Sequence, residues 1–258
     1  MAKKIFIGTS GWNYGHWSRD KFYPSSCTQR EWLAFYARSF PTVEINNSFY
    51  RLPAPETFAS WARQVPKGFV FAVKGSRFIT HMKKLKDPAQ SVKLFLTHSA
   101  RLREKLGPVL FQLPPQMAVN PPRLRDFART LKRRKRLLIA IEFRHPSWFT
   151  EEIYEIIDGA GWTICLADSF DLPREIPVLG EFCYVRRHGT TARYASCYSD
   201  EQLRSDAEFA TRTAQQGRDV YVYFNNDAQA HAIGNALTLR KMIEPAYVYH
   251  SGETPTAA

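Results

Sequence analysis

The stretch LLIAIEFRH, residues 137–145, is an apolar run that ends in charged residues. Its two isoleucines and Phe143 occupy alternate positions, so they face one side of an extended chain. Glu142 and Arg144 fall on the opposite side. The pattern predicts a β-strand with an apolar face packed on helices and a charged face at its carboxyl end.

Seven further runs are short, apolar and rich in β-branched or aromatic residues; they span 5–8, 42–46, 69–73, 109–113, 162–167, 182–187 and 219–224. Segments with apolar residues at helical spacing lie between the runs, at 30–40, 55–64, 88–105, 121–135, 150–159, 200–216 and 228–243. Strands that alternate with helices predict a parallel sheet. Eight such units in 258 residues average about 32 residues each, which suits a closed barrel.

We therefore predict one TIM-type (β/α) barrel domain over residues 1–258, with flexible ends at about 1–4 and 250–258. The irregular segment 169–181 leaves little room for a sixth helix, so one helix is expected to be irregular or missing. An open doubly wound sheet is the alternative fold. It is disfavoured because neither a Gly-x-Gly-x-x-Gly turn nor a P-loop follows any predicted strand.

The composition is that of an ordinary globular protein, with 44% hydrophobic and 23% charged residues, and it excludes disordered and fibrous classes. Four cysteines stand far apart without a C-x-x-C pair, so we expect reduced packing residues and a cytoplasmic protein. No segment approaches the roughly 18 apolar residues of a membrane span, and no membrane partner is predicted. The sequence makes no prediction of an oligomeric state.

Polar residues gather at the carboxyl ends of the predicted strands, where barrels of this kind carry their active sites. Strand alternation sends Glu44 and Asn46 inward, as it does Glu142 and Arg144. The other strands contribute Lys74, Gln112, Asp168, Arg186, His188, Asn225 and Asn226. For any single position the alternative is an inward charge neutralised by a neighbour, but so many together predict a ligand site, because buried charge is costly.

Two inward carboxylates suit acid–base chemistry, so Glu44 and Glu142 are predicted as the acid and base of a hydrolase, lyase or isomerase. Lys74 is predicted either as a Schiff-base nucleophile or, preferably, as the counter-ion of the two glutamates. His188 is predicted as a proton carrier. No cofactor is predicted.

A metal site is the rival interpretation of the same cluster. Its competent ligands are Glu44, Glu142, Asp168, His145 and His188. No short ligand motif supports it, so a metal-free site is predicted.

Aromatic and arginine side chains near the strand ends indicate the class of ligand. Trp12 and Tyr50 are predicted to stack on a sugar or base, and the arginines to hold phosphate groups: Arg51, Arg77, Arg144 and Arg186. The alternative is that the aromatic rings pin long loops over the barrel. The preferred partner is a small anionic substrate, either a phosphorylated sugar or a nucleotide-like molecule.

The net charge of +12 favours an alternative function, which is nucleic-acid binding or processing, including a metal-dependent form. The basic run KRRKR at 132–136 is weak support, because it ends a helix at the amino-terminal side of the barrel, where the helix dipole favours cations. The better basic candidates are Arg51, Arg77, Lys83, Lys84, Lys86 and Arg193.

Several of these segments carry a family resemblance. They are IGTSGW (7–12), VEINNSFYRLP (43–53), FAVKGSRFITH (71–81), GPVLFQLPP (107–115), IEFRHPSW (141–148), VRRHG (185–189) and VYFNND (222–227). In this order they resemble the YecE-like family, catalogued as domain of unknown function 72. The resemblance covers nearly all of the chain and implies a TIM-type barrel, while it supplies no reaction.

Overall fold

Eight parallel strands form a nearly closed barrel with helices around it in this computed structural model. The structure describes residues 3–131, 137–168, 173, 176–189 and 196–250. The strands are β1 (Ile5–Thr9), β2 (Thr42–Ile45), β3 (Val70–Lys74), β4 (Leu106–Gln112), β5 (Ile139–Glu142), β6 (Thr163–Ala167), β7 (Phe182–Arg187) and β8 (Asp219–Phe224). The predicted fold class is confirmed, and all eight predicted strands are present with ends shifted by a few residues.

The helices lie between successive strands. They are α1 (Trp32–Ser39), α2 (Asn47–Tyr50), α3 (Pro55–Gln64), α4 (Ala89–Ser99), α5 (Pro121–Leu131), α6 (Glu151–Gly159), α7 (Asp200–Gln215) and α8 (His231–Met242). The sequence explains individual starts: Pro55 occupies the first turn of α3, and Ser199 and Gln202 form a reciprocal capping box at α7.

Two local features differ from the predictions, and a third agrees with them. The predicted helix 88–105 breaks at Ser99, and a 3-10 segment with Arg103 at φ 55° leads into β4. The four-residue helix α2 was not predicted. The described residues between β6 and β7 form no helix, in line with the short segment there.

Parts of two predictions concern residues that the structure does not describe. The run 132–136, Arg193 and the ends 1–2 and 251–258 lie outside the described residues. Of the ends predicted to be flexible, Lys4 donates its backbone amide to Asp219 Oδ1 at 2.9 Å, and His250 Nδ1 lies 3.0 Å from Arg240 Nη2. These two positions are therefore held by hydrogen bonds.

The barrel closes between β1 and β2, where the Tyr36 hydroxyl stands between the two strands. It accepts a hydrogen bond from the Thr9 amide at 2.9 Å and lies 3.1 Å from the Thr42 carbonyl oxygen, to which it donates. Gly8 permits this approach, because a Cβ there would lie 2.2 Å from the Thr42 carbonyl oxygen. Above the hydroxyl, Ser10 and Glu44 form a parallel bridge.

Inward side chains fill the lower barrel with an apolar cluster: Phe6, Ala72, Leu110, Ala140, Cys165, Phe182, Tyr184, Tyr221 and Tyr223. The layer above it, at the carboxyl ends of the strands, is polar and includes Glu44, Lys74, Gln112, Glu142 and Arg186, all buried. Because the apolar cluster seals the barrel from below, this polar layer forms the floor of the barrel mouth. Across the described residues, no helix is both long and apolar enough to cross a membrane.

Candidate active site at the barrel mouth

Arg186 lies between the two inward glutamates and bonds to both. Its Nη2 is 2.8 Å from Glu44 Oε1, and its Nη1 is 2.8 Å from Glu142 Oε2. All three side chains are at most 1% exposed. The predicted inward direction of both glutamates is what the structure shows, and the direct counter-ion is Arg186 of β7.

The other hydrogen bonds of Glu44 come from Ser10 and Tyr184. Ser10 Oγ donates to Oε1 at 2.8 Å, and the Tyr184 hydroxyl donates to Oε2 at 2.7 Å. Burial by itself would raise the pKa of Glu44, but the charges of Arg186 and Lys74 and these two hydrogen bonds outweigh it and hold the pKa below its ordinary value. Glu44 is therefore a carboxylate at neutral pH.

Glu142 is saturated in the same way. Gln112 Nε2 donates to Oε1 at 2.7 Å, and Arg144 Nε donates to the same oxygen at 2.5 Å. Burial opposes ionisation, but the Arg144 and Arg186 charges place the pKa of Glu142 well below its ordinary value. Two ionised, fully bonded carboxylates make a rigid floor for the site.

His188 sits above this floor against two guanidinium groups. Its Nε2 is 3.1 Å from Arg144 Nη2 and 3.3 Å from Arg186 Nη1. Burial and the Arg186 charge lower the pKa of His188, with partial opposition from Glu142. On the other side of the ring, Nδ1 lies 3.0 Å from Asn225 Nδ2, so side-chain N–H groups flank both ring nitrogens.

Asp168 fixes the backbone that carries His188. One carboxylate oxygen accepts the His188 amide at 2.6 Å, and the other accepts the Tyr198 hydroxyl. The Gly189 amide donates to the same hydroxyl at 2.7 Å, and Gly189 has a φ of 106° that favours glycine. Asp168 thus acts on the site through the backbone of the turn after β7.

Lys74 differs from its charged neighbours, because its Nζ makes no hydrogen bond or ion pair with any residue in the described part of the chain. The nitrogen lies 4.3 Å from the centroid of the Phe49 ring. Burial, followed by the Arg186 charge, lowers the pKa of Lys74 to about 7, although Glu142 and Glu44 act in the opposite direction. About half of such an amine is uncharged at neutral pH.

The turn after β3 forms one side of the mouth and contains a π-helix at Phe78–Met82. This element is rare in proteins, and where it occurs it is often at a functional site. Its His81 packs edge-on against Phe49, with ring centroids 4.9 Å apart. Burial lowers the pKa of His81 to about 4, and the positive charges of Lys74, Arg77 and Arg144 add to the effect. Three cations therefore share one side of the mouth.

Comparisons with known proteins identify the family. The sequence profile of "Protein of unknown function DUF72" matches residues 6–257. The chain belongs to this family. The resemblance seen in the sequence is thereby confirmed.

Curated and solved relatives agree with this membership. UPF0759 protein YunF of Bacillus subtilis is 27% identical over 97% of this chain and 98% of the relative. UPF0759 protein YecE of Escherichia coli K12 is 31% identical over 57% of this chain and 51% of the relative. The crystal structure of a DUF72 family protein from Thermotoga maritima superposes with a TM-score of 0.82 at 28% identity, covering 93% of this chain and 98% of that one.

Not every predicted ligand-binding residue of this DUF72 chain lies in the mouth. Trp12 is 8% exposed and packs edge-on against Trp61 in the layer between strands and helices. Asn226 is fully buried and donates to Ser196 O and Asn235 Oδ1 beneath α8. Both side chains are thus buried in packing contacts outside the network of the mouth.

Three further predicted residues lie near the mouth without joining its network. Asn46 is half-buried at the end of β2, and its Oδ1 is sealed from solvent with no hydrogen-bond partner among the described residues. Tyr50 is 73% exposed and Arg51 is exposed, both on the rim after α2. They can reach a ligand only above the floor.

The same geometry keeps some of the alternative metal ligands apart. His145 turns away and accepts from the Ser147 amide at the 3-10 segment Pro146–Trp148, while Arg186 occupies the space between Glu44 and Glu142. Within the described ranges, no three His, Cys, Asp or Glu side chains are grouped to hold a metal ion.

Sequence reasoning missed two contributors to the site, Ser10 and Tyr184. Tyr184 could have been found, because it shares strand parity with Arg186 two residues later. Ser10 follows the end of β1, where alternation gives no signal.

Proposed function

We propose that this DUF72 protein is an enzyme that binds a small anionic molecule in the barrel mouth and transfers a proton there. The observation that carries the proposal is the placement of two arginines at the mouth: Arg144, whose Nη2 lies 3.1 Å from His188 Nε2, and Arg77, which is exposed on the turn after β3. A site of this polarity suits a phosphate or carboxylate group. The proposed ligand is a phosphorylated sugar or nucleotide-like molecule.

The geometry favours a division of roles that differs from a paired-glutamate mechanism. Glu44 and Glu142 are ionised and bonded on both oxygens, so they position Arg186 and Arg144 rather than donate protons. Proton transfer then falls to Lys74, the one of these groups whose pKa lies near neutral pH. We accordingly keep the acid–base class of hydrolase, lyase or isomerase and assign the moving proton to Lys74.

Anion binding is tested by calorimetric titration with inorganic phosphate. We expect binding that weakens by about 3- to 10-fold in Arg77→Ala, since one charge-assisted contact is lost. The matched control is Arg101→Ala, an exposed arginine in the 3-10 segment that enters β4 at the opposite end of the barrel. Equal affinities for phosphate in all three proteins, or none in the parent, would sink the proposal.

Turnover is tested by proton NMR in D2O on a mixture of phosphorylated sugars and short keto acids. We expect exchange of a carbon-bound proton, or conversion of one component, with the parent protein and none with Lys74→Arg. Activity that survives in Lys74→Arg would remove the proton-transfer role from this residue. A mixture left unchanged by the parent protein would count against an enzyme acting on either class.

A specific surface feature supports nucleic-acid binding as a second candidate function. Tyr50, Phe78 and Met82 are 73%, 46% and 65% exposed on the turns after β2 and β3, close in sequence to Arg51 and Arg77. Exposed rings beside arginines suit base stacking. Filter binding of single-stranded nucleic acid over a salt series tests this: a steep negative slope that flattens in Arg51→Ala supports it, and weak binding without a slope rejects it.

A cytoplasmic location belongs to the same proposal. All four cysteines are free thiols in the structure, as suits a reducing compartment. Fractionation of the source cells, followed by detection of the protein with an antibody, would test it.

A further inference from the structure

Two lysines of this protein are buried to the same extent, yet their ammonium groups have different surroundings. Lys105 is 8% exposed, and its Nζ donates to the carbonyl oxygens of Ala62 at 2.6 Å and Val65 at 2.7 Å. Lys74 is 9% exposed, and its Nζ lies 4.3 Å from the centroid of the Phe49 ring and makes no hydrogen bond with a described residue. Lys105 is thus held by protein acceptors, whereas the nitrogen of Lys74 is left to contact solvent or a ligand.

Hydrogen bonds fix the backbone around Lys74, whereas its side-chain nitrogen makes none with the described residues. Ser48 Oγ donates to the Lys74 carbonyl oxygen at 2.6 Å, and the next amide, Gly75, donates to Leu110 O at 2.7 Å. These bonds fix the start of the side chain at the carboxyl end of β3. The nitrogen is not one of the sealed, unpartnered side-chain atoms of the described chain, so it is open to the mouth.

We infer that Lys74 is a nucleophile that forms an imine with the carbonyl carbon of an anionic aldehyde or ketone bound in the mouth. This inference rests on the proposed function, since the anionic group of the substrate is held by the cations named there. It narrows the substrate class from anionic molecules to anionic carbonyl compounds.

The step balances without a further reagent. The nitrogen lone pair forms the C–N bond, and the carbonyl π electrons move to oxygen, which takes up a proton to give a carbinolamine. One nitrogen proton replaces the proton taken up by oxygen. The hydroxyl then leaves as water after a second protonation, which gives a C=N iminium, and loss of the second nitrogen proton gives the neutral imine. One amine and one carbonyl compound thus give one imine and one water, with no oxidant or reductant consumed.

The charges around Lys74 suit this chemistry. The groups that act on it are Arg186, Glu142, Glu44 and Arg144, and it in turn acts on His81. Burial and Arg186 favour the neutral amine, which is the nucleophilic form, while the two carboxylates stabilise the positively charged iminium that follows. Arg144 and Arg77 remain for the anionic group of the substrate.

The test uses a neutral and an anionic carbonyl probe on the full chain. In the first arm, formaldehyde with cyanoborohydride at pH 7 traps imines as methylamines, which peptide mass spectrometry assigns to individual lysines. We expect Lys74 to react at least about tenfold faster than the exposed Lys84 and Lys86, because more of it is unprotonated. A rate for Lys74 as low as that of the buried Lys105 would overturn the inference.

In the second arm, pyruvate or dihydroxyacetone phosphate is reduced onto the protein with borohydride. We expect a single adduct at Lys74, diminished by excess inorganic phosphate and absent from Lys74→Arg. Lys74→Met serves as a second variant, and circular dichroism checks the fold of both. Adducts spread over surface lysines, or an unchanged yield in both variants, overturn the inference.

The two arms separate the inference from the proposed function. If the protein binds phosphate but no Lys74 adduct is trapped, the proposed anion binding stands and the nucleophilic role of Lys74 is rejected. A fast reaction of Lys74 with formaldehyde, without phosphate binding, would support Lys74 as the nucleophile and would exclude an anionic substrate.

Discussion

Arg186 Nη2 lies 2.8 Å from Glu44 Oε1 inside a barrel end where both side chains are at most 1% exposed. The same guanidinium also bonds to Glu142, so one cation balances two buried carboxylates. A buried ion pair contributes little net stability compared with an apolar replacement, but breaking one leaves an uncompensated charge. This arrangement makes Arg186 the residue on which the floor of the mouth depends.

Replacement of Arg186 by Met should therefore lower the free energy of unfolding by about 3–5 kcal/mol, as measured by urea denaturation. The matched control is Arg129→Met, which breaks a pair with Asp126 in which both side chains are more than half exposed, and should change stability by less than about 1 kcal/mol. Adding Glu44→Gln and Glu142→Gln to Arg186→Met should recover part of the loss. If the two arginine replacements lower the free energy of unfolding equally, the buried network contributes no more to stability than an exposed ion pair.

The strand pattern predicts which residues enter the mouth but not which of them meet. Alternation placed Glu44, Glu142 and Arg186 inward, and it did so correctly because side chains on a strand alternate with a period of two. It did not reveal that Arg186 comes between the glutamates, because that depends on where β2, β5 and β7 lie around the closed barrel. Arg186 is therefore the direct ion-pair partner of both glutamates, and Lys74, the preferred counter-ion in the prediction, acts on Glu44 through its nearby charge.

The predicted site residues that lie outside the mouth come after the ends of their strands in the sequence. Asn226 follows β8 by two residues, and Trp12 follows Gly11, which turns the chain with a φ of 103°. Beyond such points alternation no longer gives the direction of a side chain. Contacts of the turns, including those of Phe49 and Tyr198, depend on packing that has no local signal in the sequence.

The stability of the protein should depend on pH through Lys74. Its pKa in the folded state is about 7, below the ordinary value of 10.5, so the unfolded chain binds more protons between these values. The cost of holding Lys74 is therefore complete below pH 7 and disappears as the pH rises toward 10.5. Lys74→Met removes this cost and should be more stable than the parent at pH 6, by roughly 2–5 kcal/mol.

The difference between parent and Lys74→Met should shrink steadily up to pH 10, as followed by urea denaturation at each pH. Lys105→Met is the contrasting variant, because it strands the Ala62 and Val65 carbonyl oxygens and should be less stable than the parent. A constant difference between parent and Lys74→Met over this range would contradict a lowered pKa in the folded protein.

The turn after β7 should loosen when the Tyr198 hydroxyl is removed. Tyr198→Phe leaves the Gly189 amide without its acceptor and Asp168 with one donor fewer, so we expect a loss of about 1–3 kcal/mol. Hydrogen exchange of the His188 and Gly189 amides should accelerate. Tyr154→Phe on α6 is the control, since the Tyr154 hydroxyl makes no hydrogen bond within the described residues; unchanged exchange in Tyr198→Phe would refute the anchoring role.

Two glycine replacements should change the stability of the protein in opposite directions, because only one of the glycines lies where the barrel closes. A Cβ on Gly8 would lie 2.2 Å from the Thr42 backbone oxygen, so Gly8→Ala must push β1 and β2 apart and should cost at least about 1–3 kcal/mol. Gly234 lies within α8, where an added Cβ would meet no atom of another element within 4 Å, and Gly234→Ala should raise stability by up to about 1 kcal/mol through helix propensity. Thermal melting distinguishes the two, and a Gly8→Ala protein as stable as the parent would mean that the contact between β1 and β2 is not tight.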